Sequence, residues 1–285
     1  MSMAGKLYVD SIDAFTRWGV FVEKGGYKGV VGVPSFKALQ STSWPESDGE
    51  EWDLSAPVLD GRSLQVPFCI TDVSLWGDFL GHLQNGAYHV FDFREVGRAL
   101  RLRLVDNVAF SSLVRVGGFT LTFYDDFPIL PEGEPLPDSG SVVGQGGCVL
   151  DGVDFSRYGC WVLAGAEDAV RKAAKVKEAL KISPKAVSGV LYDGQKVSYS
   201  TKELALDLLF KVGSLTAFWS CWNAFFAALL KPGVRTLHFP FVDAALGGFY
   251  KSCQVQRFEL NKNGGVWCEA KVSFTLTSQR ISGGL

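Results

Sequence analysis

The chain has 285 residues, 47% hydrophobic and 20% charged, with a formal net charge of −2. That length suffices for one large or two ordinary domains with real apolar cores. The composition is that of a folded soluble protein, and the near-zero net charge argues against a general nucleic-acid binder, which carries a strong basic excess.

The first residues, through Leu7, contain no apolar h-region, so no secretory signal is expected. Two openings then resemble each other. Val9-Asp10-Ser11-Ile12-Asp13 leads to Trp18-Gly19 and a strand at Val20-Phe21-Val22. Leu150-Asp151-Gly152-Val153-Asp154 leads to Tyr158-Gly159 and a strand at Cys160-Trp161-Val162. Each is an apolar residue, a tight turn containing Asp, then an aromatic-Gly pair entering a strand.

A long excursion follows each opening. The first is acidic, with Trp44, Glu46, Asp48, Glu50, Glu51, Trp52 and Asp53 and no cation among residues 41–53. In the second, residues 166–181 have helical propensity, with Glu167 and Asp168 near the start and Lys172, Lys175 and Lys177 further on.

Next comes one amphipathic helix per half. Leu75, Trp76, Phe79, Leu80 and Leu83 share a face in the first. Leu215, Phe218, Trp219, Trp222, Phe225, Phe226, Leu229 and Leu230 make a wider stripe in the second. The apolar run 215–230 is interrupted by Ser220 and Asn223 and falls short of the roughly 20 residues of a membrane span, so a buried or interface helix is predicted. Asn85-Gly86 and Pro232-Gly233 stop these helices. Short strands are predicted at 88–93 and 236–241, and each half closes on alternating strands: Leu100, Leu102 and Leu104, then Phe119, Leu121 and Phe123, in the first; residues 252–260 and 266–277 in the second.

The halves are separated by residues 129–147, rich in Pro and Gly with three acidic charges, which read as a linker. The expected organisation is therefore β-rich α+β: two tandem β-sandwich or barrel modules, 1–128 and 148–285, each with one packing helix. Residues 1–128 carry 11 Lys/Arg and 16 Asp/Glu, net −5; residues 148–285 carry 17 and 11, net +6. Modules of opposite sign are suited to facing each other, within a chain or between chains, with Trp44 to Asp53, the three lysines, Trp219, Trp222 and Phe226 as candidate contact residues.

Catalytic and cofactor signatures are not found. There is no G-x-S-x-G, no Gly-Lys-Ser/Thr after the Gly-rich stretch and no EF-hand order in the acidic loop. His82, His89 and His238 are scattered, and the six cysteines form no C-x-x-C pair. No catalytic residue, metal or cofactor is expected, and the thiols are predicted to be small buried side chains. Trp44 and Trp52 in a loop suit a protein contact, with a carbohydrate platform as the alternative.

On the strand, long loop, strand, helix, closing strands order and on the paired openings at Leu150-Asp151-Gly152-Val153-Asp154 and Tyr158-Gly159, the chain resembles the ring-forming module of phage tails: tail-tube, distal tail and baseplate hub proteins. The resemblance implies a structural, non-enzymatic role, synthesis in the bacterial cytoplasm followed by assembly into a virion tail or tail-like particle, and other tail or baseplate proteins as partners. Two fused modules are similar to the hub type, in which three chains give a pseudo-sixfold ring. The chain departs from a usual distal tail protein, which carries one ring module followed by a different domain.

Overall fold

A computed structural model describes residues 3–113, 115–137, 144–178, 181–186, 188–192 and 197–277. The first half contains β1 (Leu7–Val9), β2 (Ile12–Asp13), α1 (Ala14–Trp18), β3 (Val20–Val22), α2 (Lys28–Val31), β4 (Ser41–Thr42), β5 (Glu51–Trp52), β6 (Arg62–Ile70), α3 (Trp76–Gln84), β7 (His89–Phe93), β8 (Arg98–Leu113) and β9 (Val116–Asp125). The second contains β10 (Val149–Leu150), β11 (Val153–Asp154), a 3-10 turn (Phe155–Tyr158), β12 (Cys160–Val162), α4 (Ala166–Arg171), β13 (Lys181–Ile182), β14 (Leu191–Tyr192), β15 (Lys202–Val212), α5 (Leu215–Leu229), β16 (Arg235–Phe239), β17 (Ala244–Leu260) and β18 (Val266–Leu276).

The protein is β-rich α+β, built on two seven-stranded sheets of the same order: β2-β1-β7-β8-β9-β6-β3 and β11-β10-β16-β17-β18-β15-β12. All pairings are antiparallel. In the first sheet the two edge strands, β2 and β3, are joined only by α1 and Gly19. Five helical residues span about 8 Å, so the sheet curls until its edges are neighbours, and the second sheet does the same through its 3-10 turn.

The paired openings explain themselves locally. Asp10 and Ser11 have φ of 50° and 69°, and Asp151 and Gly152 have 47° and 85°. These left-handed pairs make the tight turns that match strand twist, and Asp and Gly tolerate them. Asp10 Oδ1 accepts from the Val90 N–H and Asp151 Oδ1 from the Thr236 N–H, tying each turn to the next strand of its sheet. Gly19 and Gly159 then end the short helical turns at φ of 69° and 61°. A side chain at Gly159 would enter the space of Val212 and Cys221.

Asp154 caps the second turn. Its carboxylate accepts from the Gly144, Gly146 and Ser156 N–H groups and from the Ser156 hydroxyl, at 2.6–2.9 Å. Burial works against its charge, but these donors outweigh it and hold the group below the ordinary carboxylate range. A depressed folded value means that the stabilisation is complete above the unfolded value, near 4, and is lost as pH falls through the folded one. Asp154→Asn should therefore cost about 1–3 kcal/mol near neutral pH. Urea unfolding at several pH values should show the gap to the parent closing below pH ~4.

The core of the first half is built on Phe68, Phe79, Phe91, Phe93 and Phe123, and that of the second on Phe155, Phe210, Phe218, Trp222, Phe225 and Phe226, all fully buried. The two cores run into one another. Helices α3 and α5 occupy the same place in the strand order, as the periodicity predicts; α1, α2 and α4 are additional short turns.

One expectation is corrected. The helix predicted over 166–181 stops at Arg171, and Lys172 turns to an extended ψ of 123°. Beyond it Val176 pairs with Tyr199, with Lys177 N donating to Ser198 O and Ser200 N to Lys175 O. Cross-strand pairing overrides the propensity of this stretch. The closing strands are also longer than predicted. β8 and β17 each pair with a short strand and then with a long one, passing two bulges, at 104/106 and 107/109 and at 250/252 and 255/257. Bulges bend a strand and let it serve both partners. Residues 131–137, which follow the first sheet, run close to α5, with Gly133 against Ala224 and Leu136 bonded to Arg157.

Candidate functional site: the contact between the modules

Each excursion is an arm of the same construction. In the first, Phe36 pairs with Leu59 and β4 with β5; in the second, Val176 pairs with Tyr199 and β13 with β14. Every one of these positions differs from its counterpart by 140 residues. The arms are thus of one length and one register, which places Trp52 opposite Tyr192 and Lys177 opposite Lys37 in the comparison.

Arm one lies on the second module. The Trp52 ring packs on Phe249 at 5.3 Å and Phe36 on Tyr250 at 5.8 Å. The Tyr250 hydroxyl is buried and bonds to Val33 and Pro34 O, both at 3.1 Å. The Gly233 N–H donates to Leu54 O. At the arm's turn, Lys177 Nζ donates to Ser43 Oγ and to the carbonyls of Trp44, Ser47 and Gly49. Asp48 accepts from the Tyr199 N–H at 3.0 Å, and the Gly49 N–H donates to Tyr199 O at 2.8 Å. A single ammonium gathers the turn through peptide oxygens, and one residue of the second arm, Tyr199, is held at both its N–H and its C=O.

On the other flank Trp219 Nε1 donates to Val96 O at 2.6 Å, and the Arg98 guanidinium stands 4.6 Å from the Trp219 ring. Beneath arm one, Arg62 and Asp125 form an ion pair at 3.2 Å with both side chains nearly inaccessible. Arg62 also donates to Gly29, Gly32 and Val30 carbonyls, binding α2 to the sheet.

The predicted contact residues therefore fall into three groups. Trp52, Asp48, Lys177 and Trp219 sit in contacts between the two halves. Glu46, Glu51, Lys172 and Lys175 are exposed, Glu50 is half-buried, Trp44 is half exposed and Asp53 turns back on Ser55. Trp222 and Phe226 are placed differently from the expectation: both are fully buried in the second module, among Phe210, Phe218, Phe225 and Tyr250. An apolar stripe this wide covers the module's own open sheet as well as its neighbour. Trp52 is thus partly buried against Phe249, while Trp44 is half exposed.

Sequence reasoning missed Phe249, Tyr250, Tyr199, Arg62 and Asp125. One signal was available: Phe249 and Tyr250 are consecutive aromatics in a strand, both buried, which breaks the alternation and marks a strand covered on both faces. By the pairing just described, Lys177→Glu should lower Tm by several degrees in a thermal melt, whereas Lys172→Glu, on an exposed side chain, should change it little.

Asp10, His82 and His89 bring three potential metal ligands within 4.8 Å of one another. His89 Nδ1 lies 2.6 Å from Asp10 Oδ2, closer than the ~3.3 Å that two neighbouring ligands of a tetrahedral zinc would keep. His89 Nε2 faces Leu83 O at 3.0 Å. In the second half Arg235 stands where His89 stands and pairs with Asp151 at 3.0 Å. The repeat assigns both pairs the same work, clamping the opening turn to the adjacent strand. Asp10 is held below the ordinary carboxylate range, its burial outweighed by the bonds from His89, Val90 and His82.

No family model and no curated protein matches the chain. Among solved structures, it is similar to the SPP1 Dit (gp 19.1) protein, described as a paradigm of the hub adsorption apparatus in phages infecting Gram-positive bacteria. The match covers 95% of this chain and 97% of that one, at 13% identity and a TM-score of 0.33, a loose superposition.

Proposed function

We propose that this chain is a structural subunit of a phage or phage-derived tail, two ring modules fused in tandem, with three chains closing a six-module ring at the junction of tail tube and baseplate. The observation that carries the reading is internal: one strand order and one arm, each made twice in the same chain, with the first arm lying on the second module. A fused pair of like modules in lateral contact is already one step of a rotational assembly, and repeating that step between chains closes a ring. Charge supports the step, since the modules carry −5 and +6. In this reading the division falls at residues 129–147, the chain acts through contact rather than catalysis, and its partners are itself and neighbouring tail or baseplate proteins. It is made in the bacterial cytoplasm and ends in the particle.

Mass photometry at low salt should show a species of three 31.0 kDa chains, and negative-stain images should show a ring with a central opening. A strictly monomeric protein at high concentration and low salt would overturn the proposal.

A further inference from the structure

The repeat leaves part of its own contact, at Lys37 and Leu59, unused. Within the chain, the acceptor for arm one consists of Lys177, Tyr199 and Phe249. By the register of the two halves, the same places in the first module are held by Lys37, Leu59 and Arg103. Lys177 is half-buried with four oxygen partners, while Lys37 is exposed and its ammonium has no partner among the described residues. Lys37 nevertheless makes the same backbone bond, N–H to Val58 O, that Lys177 makes to Ser198 O. The Tyr199 N–H and C=O hold Asp48 and Gly49; those of Leu59 hold nothing among the described residues.

The missing donor is present in the same chain and equally unused. Arm two ends in Ile182, Val190, Leu191 and Tyr192, which are 54%, 55%, 62% and 55% exposed. Tyr192 occupies the register of Trp52. Gly189, at φ 100°, occupies that of Gly49, at φ 66°, so the turn that presents its carbonyls to a lysine can form in both arms. A two-stranded ribbon this apolar is not stable in water for its own sake.

The charges cross in the matching sense. Residues 23–61, arm one, carry 3 Lys/Arg and 7 Asp/Glu and lie on the net-basic module. Residues 163–201, arm two, carry 7 and 4, and the module left without an arm is the net-acidic one.

We infer that arm two docks on the first module of a second copy of this chain, with its Gly189 turn gathered by the Lys37 of that copy and Ser188 and Gly189 clasping its Leu59. The contact is head-to-tail, so each chain both gives and receives an arm, and association stops only on closure of a ring. This inference rests on the ring reading and specifies the surface through which the ring closes.

The test is a cysteine pair placed by the intrachain template. The Tyr199 N–H bonds to the Asp48 carboxylate at 3.0 Å, so the two residues are neighbours across the contact, and Ser188 and Leu59 are their counterparts. Under mild oxidation, Asp48→Cys/Tyr199→Cys should link within one chain and run as a monomer. Leu59→Cys/Ser188→Cys should give covalent multimers, with the 59–188 linkage identified by peptide mass mapping. Mixing the two single variants Leu59→Cys and Ser188→Cys should stop at a linked dimer.

Independently, Lys37→Glu should weaken association at least tenfold by mass photometry while leaving Tm unchanged. Oligomers that form without the 59–188 linkage and tolerate Lys37→Glu would overturn the arm docking and leave the ring reading standing. A protein that stays monomeric under every condition would overturn both.

Discussion

Asp125→Ala should destabilise the protein by roughly 3–5 kcal/mol in urea unfolding, the loss expected when one partner of a buried ion pair is removed. Arg62 and Asp125 face each other at 3.2 Å with side-chain exposures of 12% and 6%. Burial disfavours the charged guanidinium of Arg62 and pulls its pKa down, and Asp125 is the first of the groups that oppose this. Removing the carboxylate leaves a cation out of water with only the Gly29, Val30 and Gly32 carbonyls as partners among the described residues. The second module has no such pair: Lys202 and Leu276 take the two places, and Lys202 Nζ donates to Val170 O. The fold therefore does not require the ion pair. Arg62→Lys/Asp125→Leu, which copies the second module, should recover most of the loss. A double variant no better than Asp125→Ala would mean that arm one needs the pair itself.

Much of the frame is legible in the residues because it depends on local physics. The turns at Asp10-Ser11 and Asp151-Gly152, the left-handed stops at Gly19 and Gly159, and the alternation of Leu100 to Leu104 and of Val272 to Leu276 follow from backbone preference and from which face is wet. The helices found at 76–84 and 215–229 follow from the apolar stripes Leu75 to Leu83 and Leu215 to Leu230. The arms are not legible in this way. Their β4–β5 and β13–β14 pairings involve two residues per strand, too few for a period. The stretch after Ala166 has the composition of a helix, and only its pairing with residues 198–200 makes it extended.

The site was half visible for a similar reason. Net charge pointed to the two arms, and Lys177 does meet the acidic loop, but through carbonyl oxygens that no composition reveals. Trp52 was recognisable as an exposed loop aromatic; its partner Phe249 lies almost 200 residues away. Comparing the halves position by position recovers what composition misses, because the 140-residue offset turns each observed contact into an expectation about its copy.

Trp222→Ala should cost about 3–5 kcal/mol and unfold the second module first, whereas Trp219→Ala, three residues away, should act on the contact between modules. The helix separates the two roles by its pitch. Trp222 is fully buried against Phe210 at 4.8 Å, Phe218 at 5.4 Å and Phe226 at 4.8 Å. Its indole N–H is buried without a partner among the described residues, so the ring contributes by packing. Trp222→Phe removes that unpaired donor and keeps an aromatic ring, and should cost under about 1.5 kcal/mol. Trp219 spends its N–H on Val96 O and its ring on Arg98. Hydrogen exchange distinguishes the two. Trp222→Ala should expose amides along α5 and β15. Trp219→Ala should leave those protected and raise exchange around Val96 and Gly97. Faster exchange in β15 from Trp219→Ala would place that side chain in the module's own core, and an unchanged Val96 loop would remove it from the intermodule contact.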